Sequence, residues 1–129
     1  MTVTAFSHYN LRADRATLEG LCDFYVNVVG LRTGERPPFS NYGYWLYAGA
    51  KDVLHLSEAG PEEKRDIAAR NTFDHVAFAC TDLQATMAKL QQFNVPFTCA
   101  DVPQTGQRQI FFSDPAGNGV ELNFAREDV

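Results

Sequence analysis

The chain carries one order of elements twice. His8 is answered by His75 after 67 residues, Asn27-Val28 by Asn94-Val95 after the same interval, and His55 by Glu121 after 66. Landmarks held in one frame mark a duplicated module, and duplication restricts the fold more than any local propensity does. Each copy must use the same elements. A copy this small cannot cover both faces of its own sheet, so the copies pack together or pair with another chain.

Hydrophobic periodicity identifies the elements. The first module predicts a strand at about 5–12, then a helix at about 15–28. In that helix Leu18, Leu21, Cys22 and Tyr25 recur at helical spacing, Asp14 is the N-cap and Gly30 the stop. Short strands follow near 31–36, 43–49 and 52–57, punctuated by Pro37-Pro38 and Gly49. The second module predicts a strand at 73–80, a helix at about 83–93 behind Asp82, and strands near 97–102, 108–113 and 119–125. A tight turn, Asp114 to Gly119, precedes the last strand. The fold class is therefore α+β, with two βαβββ modules in a single domain. Module 1 covers about 1–58, a polar linker 59–71, and module 2 about 72–129.

Charge and cysteine usage narrow the function. A formal net charge of -5 argues against nucleic acid, which needs a basic patch. No apolar run approaches the length that spans a bilayer, and MTVTAFSHYN has no basic or apolar leader pattern. Cys22, Cys80 and Cys99 form no CxxC, which favours reduced thiols in a cytoplasmic protein. Each reads as a small hydrophobe filling space.

The polar residues on the strands are more informative. In GVELNF, Val120, Leu122 and Phe124 alternate with Glu121 and Asn123. In DVLHLS, Leu54 and Leu56 point one way, and His55 points the other with Val53 and Ser57. In FDHVAFAC, Val76 and Phe78 take the apolar face and leave His75 with Ala77. His8 shares a face with Phe6, Asn10 and Arg12. All three histidines and Glu121 are thus expected on the concave face, away from the helices. His8 and His75 are equivalent in the repeat, as are His55 and Glu121. A lone strand histidine is more often a hydrogen-bonded structural residue. Three imidazoles and a carboxylate converging at matched positions instead make a divalent metal site, and Zn, Ni, Mn and Fe all suit the donors.

FYVNVVGL (24–31), DHVAF (74–78) and FSDPAGNGVEL (112–122) resemble the vicinal oxygen chelate superfamily, which includes glyoxalase I, methylmalonyl-CoA epimerase, extradiol dioxygenases and bleomycin-resistance proteins. The resemblance covers nearly the whole chain. It implies paired βαβββ modules forming a cup-shaped, incompletely closed sheet around a divalent metal ion, in a homodimer. It maps the metal ligands onto His8, His55, His75 and Glu121. It makes Glu121 the general base of a lyase or isomerase that binds substrate through vicinal oxygens and stabilises an enediolate-type intermediate. Arg12 matches an arginine that holds the glutathione carboxylate in glyoxalase I. The sequence departs from glyoxalases at His55, where Glu or Gln is usual, and at Ala59, where an asparagine is expected.

Those departures keep two alternatives open. His8, His75 and Glu121 alone would form the facial triad of an Fe(II) extradiol-type dioxygenase. A metal-free, bleomycin-resistance-like protein would bind a ligand in the same cup. Phe39, Tyr42, Tyr44 and Trp45 are dense aromatics, and Trp45 is the expected wall for a small-molecule substrate. Arg108 reads either as reaching an anionic group of the substrate or as a surface charge, and Asn123 is expected to orient Glu121. The site is built within one chain or across two.

Overall fold

The computed structural model describes residues 1–129 as two compact units, Met1–Asp66 and Ile67–Val129. Each is a βαβββ module with an open four-stranded mixed sheet. In the first unit β1 (Tyr9–Ala13), α1 (Arg15–Phe24), β2 (Arg32–Thr33), β3 (Gly43–Ala48) and β4 (Lys51–Glu58) give the sheet order β1-β4-β3-β2. In the second, β5 (His75–Cys80), α2 (Leu83–Gln92), β6 (Thr98–Asp101), β7 (Arg108–Ser113) and β8 (Gly119–Phe124) give β5-β8-β7-β6. The expected α+β class and module order hold. The division between the units, Asp66 to Ile67, falls inside the anticipated linker, whose Glu63 is ion-paired to Arg12 of β1 at 2.7 Å.

Both helices start where an aspartate caps them. The Asp14 carboxylate accepts from the Thr17 N–H at 2.8 Å and the Asp82 carboxylate from the Ala85 N–H at 3.0 Å. Such a cap contributes about 1 kcal/mol. Complete burial of Leu18 and Leu21 contributes about 1.5–3 kcal/mol each, so packing rather than capping holds α1 in place. α1 lies against β1 and β4. It ends sooner than its periodicity predicts, passing into one π-helical turn, Tyr25–Val29, that Gly30 closes at φ 97°. α2 has no such turn. Asn94, with φ 56°, follows the C-cap Phe93, so Asn27 and Asn94 match in sequence but not in backbone role.

The register carries the duplication. In each unit the first strand pairs parallel to the last: Asn10 lies opposite His55, and Ala77 lies opposite Glu121. Asn10 is two residues past His8 and Ala77 two past His75, so His55 and Glu121 occupy the same rung of their modules. The last strand is central in both sheets, and both of its faces are covered. Leu54, His55, Leu56 and Ser57 are all buried, as are Val120, Glu121 and Leu122.

The turn before β8 is organised by Asp114, which is 5% exposed. Its carboxylate accepts from the N–H groups of Ala116 and Asn118 and from the Asn118 amide, each at 2.9 Å, while Gly117 takes φ 86°. Gly119 then pairs with His75, and a Cβ there would lie 2.3 Å from the Asp74 carbonyl oxygen. The DPAGNG motif thus brings β8 close to β5. Asp114→Ala should strand buried donors and lower unfolding stability by about 1–3 kcal/mol in urea titrations.

Candidate functional site

Within each unit, the ligand candidates come as a pair rather than as a group of three or more. In the first unit the His8 and His55 rings stack at 3.7 Å between centroids, 19° from parallel. Trp45, opposite His55 on β3, stacks on the other face at 4.0 Å and 7°. His55 is therefore the middle layer of three rings, which accounts for its burial on a face that periodicity predicts to be polar. In the second unit His75 Nε2 lies 3.2 Å from Glu121 Oε1. The edge of Phe111, the β7 partner of Glu121, meets the His75 ring at 6.0 Å.

Two aspartates complete these pairs, and periodicity predicts neither. Asp74 Oδ2 sits 2.8 Å from His75 Nδ1. Asp52 Oδ2 sits 2.6 Å from His55 Nε2. Three residues apart on a regular strand, Asp52 and His55 would point to opposite faces. The strand is not regular. Leu46 pairs with Leu54 but Tyr47 pairs with Asp52, so Val53 is an extra residue on β4. This bulge turns Asp52 onto the face of His55. No spacing rule marks the slip; Gly49 in the preceding turn is the nearest signal.

The two histidines shift in opposite directions. Burial pushes the His55 pKa down, against the Asp52 hydrogen bond, and the charge of His8 lowers it further. The hydrogen bond to Asp74 raises that of His75, and the Glu121 charge adds to it against a smaller desolvation. The signs for stability follow. His75 contributes fully below its ordinary value of 6.5, and the contribution is lost as pH rises through the folded pKa. His55 contributes above 6.5, and that is lost as pH falls through the folded pKa.

Of the expected substrate residues, Trp45 is in the ring stack, and Phe39 approaches it at 6.1 Å. Tyr42 and Tyr44 turn away to the Glu19 carboxylate on α1, with Tyr44 donating at 2.9 Å. Their hydroxyls are 2.8 Å apart, and that bond, with burial and Glu19, raises the Tyr44 pKa. Arg12 lies on the His55 side of its sheet, beside Ser57. Its guanidinium holds Glu63, whose carboxyl is pulled down to about 2 by Arg12 and then by Arg65. Asn123 shares the Glu121 face opposite Gln109. Arg108 does not. It alternates with Gln109 and Phe111 onto the face of Ile110 and Phe112, and pairs with Asp101 at 2.6 Å.

A cavity of about 320 Å³ in the second unit is lined by Pro96, Phe97, Thr98, Phe111, Phe112 and Ser113. Phe111 connects it to the His75–Glu121 pair.

The donor chemistry fits a divalent cation. Imidazole and carboxylate ligands suit first-row metals. The 3.2 Å between His75 Nε2 and Glu121 Oε1 is close to the spacing of adjacent ligands around a cation with bonds of ~2.1 Å.

Comparison with known proteins agrees with this architecture. The family model described as Glyoxalase/Bleomycin resistance protein/Dioxygenase superfamily matches residues 6–122. Glyoxylase I 4 of Arabidopsis thaliana is 30% identical over 104 residues, 78% of this chain; the chain spans 60% of that relative's length. Among solved structures, a glyoxylase/bleomycin resistance protein/dioxygenase domain from Frankia sp. EAN1pec superposes with a TM-score of 0.71 at 18% identity, covering 97% of this chain and 100% of that one. A lactoylglutathione lyase from Agrobacterium tumefaciens gives 0.67 at 21%, covering 98% of each chain. TnmS3, an antibiotic-binding protein from Streptomyces sp. CB03234, gives 0.67 at 22%, over 97% of this chain and 98% of that one. At these identities the structural matches speak to fold alone. No helix is long and apolar enough to cross a membrane.

The opposed histidine shifts are directly measurable. In a proton NMR titration, His75 should titrate above 6.5 and His55 below it, and Asp74→Asn should bring His75 down. The reverse order would contradict the electrostatics described here.

Proposed function

This chain belongs to the Glyoxalase/Bleomycin resistance protein/Dioxygenase superfamily, and from that premise we propose that it is a divalent-metal-dependent lyase or isomerase acting on a small molecule with two neighbouring oxygens. One observation carries the reading. The two residues that share a rung of the duplicated module, His55 and Glu121, each stand beside the histidine that opens their sheet, and all four side chains are metal-ligating types.

His8, His55, His75 and Glu121 would hold the cation, supplied by one chain or by two copies in a homodimer. A bound Zn, Ni, Mn or Fe ion contributes Lewis-acid stabilisation of charge developing on a substrate oxygen. The remaining chemistry belongs to the chain. Glu121 is the candidate base. It is 6% exposed, and its Oε1 faces His75 Nε2. A carboxylate held there can take a proton from one substrate carbon and return it to the next. Asn123 stands two residues away on the same face. Trp45 and Phe39 offer an apolar wall, and the cavity edged by Phe97 and Phe111 offers room for an apolar substituent. Arg12 offers a cation for a substrate carboxylate, which would first have to displace Glu63.

The test is an anaerobic reconstitution series with Zn(II), Ni(II), Mn(II) and Fe(II). Each form is assayed for turnover of a glutathione hemithioacetal and for O₂ uptake with catechols. Wild-type chain should retain metal through gel filtration, His75→Ala should lose it, and Glu121→Gln should lower turnover by at least about 10²-fold. Oxygen uptake confined to the Fe(II) form would replace the lyase or isomerase reading with the dioxygenase. Full turnover in Glu121→Gln would remove Glu121 from the mechanism.

A further inference from the structure

Asp52 and Asp74 are not among the ligand candidates, yet each bonds one ring nitrogen of a histidine that is. His55 lies between His8 and Trp45, nearly parallel to both, so stacking fixes the plane of the ring but not which edge faces which way. A half-turn about the ring's bond to the chain exchanges the edges and keeps both stacks. An ionised carboxylate only accepts, so the nitrogen it touches must carry hydrogen. In the neutral ring the other nitrogen then holds the lone pair, the only kind that can bind a metal. Asp52 takes Nε2 of His55, leaving Nδ1. Asp74 takes Nδ1 of His75, leaving Nε2, the atom that faces Glu121.

The repeat adds an independent observation. Ser7 precedes His8 as Asp74 precedes His75, and Ser7 Oγ lies 3.0 Å from His8 Nδ1. His8, just before β1, and His75, the first residue of β5, are thus both held at Nδ1 by the preceding residue. A hydroxyl both donates and accepts, so only the aspartate dictates the tautomer. His55 is held at the opposite nitrogen, through a residue that reaches it because of the Val53 bulge.

We propose that Asp52 and Asp74 are positioning residues that fix ring orientation and tautomer, so that His75 offers Nε2 and His55 offers Nδ1 to the cation. The inference rests on the metal reading above. It adds an asymmetry to that reading: the two carboxylates hold opposite nitrogens, and the β4 bulge brings one of them into place. Carboxylates placed behind ligating histidines generally account for about 10- to 100-fold in metal affinity.

The experiment uses the full chain labelled with ¹⁵N, and Zn(II) alone as probe. Two-bond ¹H–¹⁵N spectra of the metal-free protein, at about pH 8.5 where ordinary imidazoles are neutral, should give His55 as the single Nε2–H tautomer. In the Zn(II)-loaded protein His75 should keep its Nδ1–H. Asp52→Asn should abolish the single-tautomer pattern of His55, because an amide can donate as well as accept. Asp52→Asn and Asp74→Asn should each weaken Zn(II) binding by about 10- to 100-fold. The wild-type spectrum needs no variant, so a misfolded mutant does not protect the proposal. A wild-type chain that binds Zn(II) but shows His55 as Nδ1–H, or as a tautomer mixture, overturns the proposal alone. Variants that bind Zn(II) within about twofold of wild type also overturn it. A wild-type chain that takes up no Zn(II) overturns the metal reading and the proposal with it.

Discussion

The parallel pairing of first and last strands governs everything at the candidate site. In an antiparallel pair a short turn could set the register; here the helix and two further strands intervene, and the rung must be set by packing. A slip by one residue would turn His55 and Glu121 to the face now held by Leu54, Leu56, Val120 and Leu122, all nearly inaccessible. Burying the Glu121 carboxylate and the His55 imidazole against that apolar face, without their present partners, would be costly and opposes such a slip. The Gly119 approach to Asp74 and the Asp114-organised turn act on the same point, at the start of the pairing.

The modules have diverged around that shared scaffold. One rung carries an imidazole sandwiched between two rings, the other a carboxylate against an imidazole. The consequence is electrical. Burial and a second imidazole push His55 toward its neutral form, whereas two acids draw His75 toward its protonated form. Two equivalent positions thus meet a proton with opposite tendencies, although the backbone beneath them repeats.

Much of this was legible in the sequence, and the misses have specific causes. The matched intervals between His8 and His75 and between His55 and Glu121 gave the duplication, and period-two alternation gave the faces, because both are properties of an undisturbed strand. The bulge at Val53 was not legible, since one extra residue leaves composition and alternation unchanged while reversing every side chain beyond it. Asp52 was missed for that reason. The charge of Arg108 left both an anionic group and a surface role open; its parity within β7 takes it to Asp101. The π-helical turn after Phe24 was hidden because its buried residues, Tyr25 and Val28, continue the helical spacing.

Trp45 is the only tryptophan in the chain. Because it stacks at 4.0 Å on His55, the indole is in direct contact with a titratable ring of the candidate site. The molecule therefore carries one native fluorophore in one location. A change in the charge of His55, or a ligand that moved the stack, would alter that emission without interference from indoles elsewhere.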